Sequence, residues 1–141
     1  EAIKIANKVV KDDIGYVPGR MDQTVEYAYD DWCLSIIADA LGHEEGTEYF
    51  LDRSFNYKNL YKENADQETI DDVEKQFGLL ISKNADGSWK NVDPRSYNGG
   101  LYQGTHWQYT WYLSNDVNGL MDLMGGKERM FDADQTVPNI G

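Results

Sequence analysis

Side chains able to recognise a polar ligand concentrate in one stretch, Leu-Tyr-Gln-Gly-Thr-His-Trp-Gln-Tyr-Thr-Trp from Leu101 to Trp111. It holds two of the chain's four tryptophans, two of its ten tyrosines and one of its two histidines. Aromatic faces pack on the C–H groups of a sugar, while amides and hydroxyls read its hydroxyl groups. The composition is therefore that of a polar-ligand site, sugars above all. A structural reading stands beside it: an aromatic cluster that holds a helix end against its neighbours.

The elements that must carry this stretch read as helical hairpins. Glu1 to Asp12 places Ala2, Ile5, Ala6, Val9 and Val10 on one helical face. Gly15, Pro18 and Gly19 mark a connection. Asp22 reads as the N-cap of the strongest helix, whose stripe is Val25, Ala28, Tyr29, Trp32, Cys33, Ile36, Ile37 and Ala40, ended by Gly42. Asp30 and Asp31 read as solvated or capping groups. A third helix runs from Glu44 to about Tyr61, with Tyr49, Phe50, Tyr57, Leu60 and Tyr61 inward. Arg53 on that face either pairs with a buried carboxylate or snorkels.

Lys62 to Gln76 is charged and reads as a short exposed helix, capped by Asp66 or Thr69. Phe77 to Ser82 leads into Lys83–Trp89, whose Asp86-Gly87 pair predicts a small β-hairpin or extended excursion. His106 to about Leu113 is helical. Asn115 or Asp116 caps a helix from Val117 to Met124, and Gly125-Gly126 stops it. Lys127 to Phe131 adds a turn or two before a frayed end. The expected fold is all-α, helical hairpins forming an arc of an α/α toroid, with one small β-hairpin excursion. A closed toroid needs about a dozen helices, and this chain offers about half of them.

A net charge of −12 over 141 residues disfavours nucleic acid and anionic membranes, since Lys and Arg are scattered. Cys33 is the single cysteine, so no intrachain disulfide forms, and it reads as a buried thiol. No apolar run is long enough for a transmembrane helix. The chain opens directly on a helical pattern and reads as a piece of a longer product.

Several blocks carry a resemblance. Thr24-Val25-Glu26-Tyr27-Ala28-Tyr29-Asp30-Asp31-Trp32-Cys33 resembles T-L-E-Y-A-Y-D-D-W-C of glycoside hydrolase family 92, the calcium-dependent, inverting exo-α-mannosidases. Arg53-Ser54-Phe55-Asn56-Tyr57-Lys58-Asn59-Leu60 is similar to its R-S-x-N-Y-K-N-L. Lys83-Asn84-Ala85-Asp86-Gly87-Ser88-Trp89 resembles K-N-A-D-G-S-W, and Trp107-Gln108-Tyr109-Thr110-Trp111 resembles W-Q-Y-T-W. Asp116 to Glu128 is similar to D-V-x-G-L-x-D-L-M-G-G-K-E. The blocks keep family order over Tyr16 to Glu128.

The resemblance implies that residues 1–141 are a single partial domain within a catalytic (α/α)6 barrel. A β-sandwich would precede the barrel in a much longer enzyme. It implies a mannose-containing glycan as substrate, secreted or periplasmic localisation, and calcium, for which no ligands are assigned. The acidic pairs Asp12-Asp13, Asp30-Asp31 and Asp71-Asp72 lack EF-hand spacing. The family's base, an aspartate from a later segment, has no counterpart here, so the chain alone is expected to be inactive. A barrel arc leaves inner faces bare, so self-association is expected.

One departure from the family pattern bears on chemistry. Where the family reads Glu-Gly-Asn, with the glutamate as general acid, this chain reads Gln103-Gly104-Thr105. An amide cannot protonate a leaving alkoxide. The parent is then a binding-only homologue, a Glu→Gln alteration, or an enzyme whose leaving group needs no proton. A phosphodiester fits the last case, and some family members with Gln at this place cleave mannose-1-phospho-6-mannose. By resemblance, Gln103 occupies the acid position and Thr105, His106, Trp107 and Gln108 are candidate substrate contacts. His106 beside Trp107 reads equally as a structural imidazole. Ser114-Asn115-Asp116 replaces the family's Pro-His-Asp.

Overall fold

The computed structural model describes residues 14–136, and the expected N-terminal helix and frayed C-terminal tail fall largely outside that range. The described chain is mostly helical with one two-stranded antiparallel sheet, as the expectation of helical hairpins with a β excursion has it, but the sheet is larger and lies earlier, in the segment expected to be a short exposed helix. Helix α1 spans Met21–Ala40 and α2 spans Glu44–Ser54. A 3-10 helix, Asn56–Leu60, leads into strand β1, Tyr61–Ile70, which pairs with β2, Val73–Leu80. After a long irregular segment come α3, His106–Thr110, α4, Val117–Leu123, and α5, Lys127–Thr136.

Helices α1 and α2 form the expected hairpin, and Gly42 at φ 70° turns the chain between them. The buried face of α1 differs from the one the apolar stripe predicts. Met21, Asp22, Thr24, Val25, Ala28, Asp31, Ser35 and Ala38 point inward. Ile36, Ile37 and Leu41 are exposed, Leu41 by 67%. Asp31 is fully buried and its Oδ1 lies 3.3 Å from Arg53 Nη2, so it is neither solvated nor a cap. Tyr49 also accepts a hydrogen bond from Arg53 Nη1, at 2.7 Å, and lies under its guanidinium. Of the two readings of Arg53, the structure selects the buried pair. Removing one partner of such a pair strands a charge, which is why it fixes how α2 sits on α1.

Three further boundaries move. Asp22 lies inside α1, not at its N-cap. The third helix stops at Ser54 and tightens to 3-10 geometry, which turns Tyr57 and Leu60 into the core. The charged segment is a hairpin and not a helix. Its two-residue turn is Asp71-Asp72, both in the left-handed region at φ 51° and 61°, the geometry that matches strand twist. Aspartate tolerates that conformation better than most residues.

Alternation along β2 divides the core. Leu80 joins Tyr16, Met21, Val25, Ala28, Tyr57, Leu113 and Leu120 in one cluster. Phe77, Leu79 and Ile81 face the other way and pack with Trp107 and Ala133. Between Lys62 and Asp66 the register shifts, so that Glu63, Asn64 and Ala65 bulge opposite Gly78. The Tyr61 ring lies over Gly78, where a Cβ would come 1.9 Å from Tyr61 Oη. Downstream, Asn84–Ser88 closes the small excursion the sequence predicts, and Trp89 bridges back to Lys83.

Gly78→Ala is expected to destabilise the protein by about 1–3 kcal/mol through overpacking against Tyr61. In a Tyr61→Ala background the same change should cost little. Urea unfolding of the four variants checks this, and equal penalties in both backgrounds would contradict it.

Candidate functional site

The site rests on α3, a five-residue helix too short to hold itself. Thr105 and Gln108 form a capping box at its start: Gln108 N–H donates to Thr105 Oγ1 at 3.2 Å, and Thr105 N–H donates to Gln108 Oε1 at 3.0 Å. At its end Thr110 Oγ1 donates to the His106 carbonyl at 2.7 Å and accepts Leu80 N–H at 3.0 Å. The last residue of β2 is thereby tied to α3.

His106 and Trp107 anchor α3 from below. Ser82 Oγ lies 3.1 Å from His106 Nε2 and accepts Met21 N–H, also at 3.1 Å, joining α1, the end of β2 and α3 at one hydroxyl. Burial pushes the His106 pKa down to about 4, helped by the Lys90 charge and opposed by Asp22. Trp107 is fully buried and meets Phe77 edge to face at 5.4 Å between centroids. Its indole N–H donates to Asp66 at 2.5 Å, and Arg95 Nε donates to the same carboxylate oxygen at 2.6 Å.

Above this base lies an open hollow of about 430 Å³, lined by Glu26, Gln103, Gly104, Gln108, Tyr109 and Tyr112. Gln103 is exposed and has φ 54°, unusual for a residue with a side chain. The exposed rings of Tyr102 and Tyr112 stand in the same segment. Asp22 Oδ2 accepts Tyr102 N–H at 2.9 Å, and Arg20 forks onto both oxygens of Asp22 at 3.0 and 2.8 Å. Burial raises the Asp22 pKa, but Arg20 and Tyr102 N–H outweigh it and hold the carboxyl below its ordinary value.

Of the expected contacts, then, Gln103 and Gln108 line the hollow. Thr105, His106 and Trp107 lie beneath it, fully buried. The pattern of alternating aromatic and polar types marked a segment that lines this hollow but not which of its rings are exposed. Trp111 is half-buried and packs on both core clusters. Asp116 caps α4 through Gly119 N–H at 3.0 Å and accepts Tyr57 Oη–H at 2.7 Å, as one of the two expected caps. Glu26, Tyr109 and Tyr112 were not singled out from sequence. Glu26 carried no signal beyond its place near the start of α1, where an acidic residue is ordinary. A larger groove between α1 and α2, about 780 Å³, is lined by Ile37, Leu41, Tyr49 and Phe50 among others. It is continuous with the bare apolar residues Ile37 and Leu41, and its polar lining is Glu44, Glu45 and His43, with no side-chain amide.

Among the described residues, no three His, Cys, Asp or Glu side chains converge as a metal site. Among the described residues, no helix is long and apolar enough to cross a membrane.

Neutral His106 has a folded pKa of about 4 against 6.5 unfolded. Above pH 6.5 its contribution to stability is complete. As pH falls toward 4 the unfolded chain takes up a proton that the fold refuses, and roughly 3 kcal/mol is lost. The stability difference between wild type and His106→Gln should therefore shrink steadily over that window in urea unfolding. A flat difference would contradict the burial argument.

Residues 7–134 match the model of the glycosyl hydrolase family 92 catalytic domain. A solved GH92 family glycosyl hydrolase, ccman5, is 36% identical with a TM-score of 0.78, over 92% of this chain and 17% of its own. The family GH92 inverting mannosidase BT2199 from Bacteroides thetaiotaomicron is 32% identical with a TM-score of 0.75, over 87% and 16%. An uncharacterized secreted glycosidase of Arthroderma benhamiae is 27% identical over 82% of this chain and 18% of its own length. The chain spans about one-sixth of these relatives, and it belongs to glycosyl hydrolase family 92.

Proposed function

We propose, with membership of family 92 as the premise, that the chain is an arc of the catalytic (α/α)6 barrel of a secreted, inverting α-mannosyl hydrolase. Within it Gln103 meets the leaving group, and the favoured substrate is a mannosyl phosphodiester. The carrying observation is an exposed amide, not a carboxylic acid, on the wall of the hollow.

Inverting hydrolysis needs a water on one face of the sugar and, for an alkoxide leaving group, a proton on the other. Without acid assistance the rate falls by about 10²–10⁴. A phosphate leaving group, whose second pKa is about 6, departs without a proton. The Gln103 amide can donate to a phosphoryl oxygen with none of the repulsion a carboxylate would bring. Arg20 adds positive charge close enough to feel Glu26 and Tyr109. Tyr102 and Tyr112 offer exposed ring faces for sugar C–H groups. Calcium is proposed for the whole enzyme, and no step above passes through it. The bare residues Ile36, Ile37 and Leu41 are read as covered by the remaining helices of the barrel; in the isolated chain they favour self-association.

The full-length protein, supplied with calcium, should release mannose from mannose-1-phospho-6-mannose and lose that activity in chelator. It should leave aryl and 1,2-linked α-mannosides nearly untouched. Gln103→Glu should gain activity on those mannosides and lose it on the phosphodiester. Binding of mannosides without turnover of either substrate would instead establish a non-catalytic carbohydrate-binding protein.

A further inference from the structure

We infer that Asp22 and Tyr109 are positioning residues that clamp Tyr102 from both sides and thereby present Gln103 to the hollow. The inference rests on the reading of position 103 as the one that meets the leaving group.

Three observations converge on it. Gln103 occupies the left-handed region at φ 54°, a conformation that a side chain disfavours and that its surroundings must therefore impose. The amide on one side of Tyr102 donates to Asp22, across 80 positions of sequence, at 2.9 Å. The carbonyl on its other side accepts Tyr109 Oη–H at 2.5 Å. Both peptide units of Tyr102 are thus held by side chains, one from α1 and one from α3. The Tyr109 ring also lies against Gly104, where a Cβ would come 2.7 Å from ring Cε2. The residues before and after Gln103 are fixed by the same tyrosine.

The clamp has its own support. Asp22 is 1% exposed, and Arg20 occupies both of its oxygens. The Asp22 oxygen that receives Tyr102 N–H also receives Arg20 Nη2, so the charge that keeps Asp22 ionised aims it as well. Backbone held this way stays put when substrate binds, and a misplacement of about 1 Å at a reacting group costs up to 10²-fold in rate.

The test is a double-mutant cycle in the full-length enzyme. Asp22→Ala and Tyr109→Phe are each made in wild type and in Gln103→Ala, and kcat and KM are measured on mannose-1-phospho-6-mannose. Each change should lower kcat about 10- to 100-fold in wild type with KM shifted less than about twofold. In Gln103→Ala each should cost less than about twofold, because the residue they position is gone. Asp22→Asn, which keeps an oxygen for Tyr102 N–H, should restore most of the rate. Losses of equal size in both backgrounds would overturn the inference.

Amide hydrogen exchange of residues 101–105 provides a reading independent of turnover. Asp22→Ala should speed exchange there and Asp22→Asn should not. Unchanged exchange in Asp22→Ala overturns the clamp even if activity falls. If Gln103→Ala is itself silent, the leaving-group reading of position 103 fails, and exchange still decides whether the clamp exists.

Discussion

The polar inner face of α1 is the constraint from which the rest follows. An amphipathic helix normally buries its apolar stripe. Here α1 turns Asp22, Thr24, Asp31 and Ser35 inward instead, and each dictates the position of another part of the chain or is satisfied within the helix. Asp22 holds the segment before Gln103, Thr24 Oγ1 accepts Val17 N–H, and Asp31 holds Arg53 on α2. Ser35 Oγ donates to the Trp32 carbonyl one turn back. A buried polar group without a partner costs about 1–3 kcal/mol, so these side chains choose their neighbours as strictly as an apolar core would.

That choice explains how far the sequence could be read. The α1–α2 hairpin, the Gly42 turn, the Asn84–Ser88 excursion and the Asp116 cap were legible because local chemistry alone decides them. The orientation of α1 was not, because periodicity reports where apolar residues lie and not whether anything is present to cover them. Ile36 and Ile37 satisfy every rule for a core stripe and stand in solvent. The β1–β2 hairpin was hidden for a different reason. Lys62 to Gln76 alternates poorly because the half-buried face of its outer half carries Asp66 and Glu68 beside Ile70, and an Asp-Asp turn is weaker punctuation than Asp-Gly.

The site divides along the same line. Composition singled out the segment, and two of the residues named in it, Gln103 and Gln108, line the hollow. Thr105, His106 and Trp107 carry functional-looking chemistry, yet their hydrogen bonds go to Gln108, Ser82 and Asp66, which are structural partners distant in sequence or within the cap. An indole N–H aimed at a half-buried carboxylate and one aimed at a sugar read the same in a one-dimensional string. Only the placement of Asp66 on a strand, 41 positions away, separates them.

The capping box has a consequence for how this segment can change over time. Thr105 and Gln108 serve each other, so position 105 accepts only a residue that can cap, such as the Asn of the family pattern, while Gln108 stays as it is. Position 103 has no such partner in the frame: the bonds that define the loop run through the backbone of Tyr102 and the side chains of Asp22 and Tyr109. The side chain at 103 is therefore a free variable on a fixed backbone. An acid or an amide can stand there without renegotiating the fold beneath it.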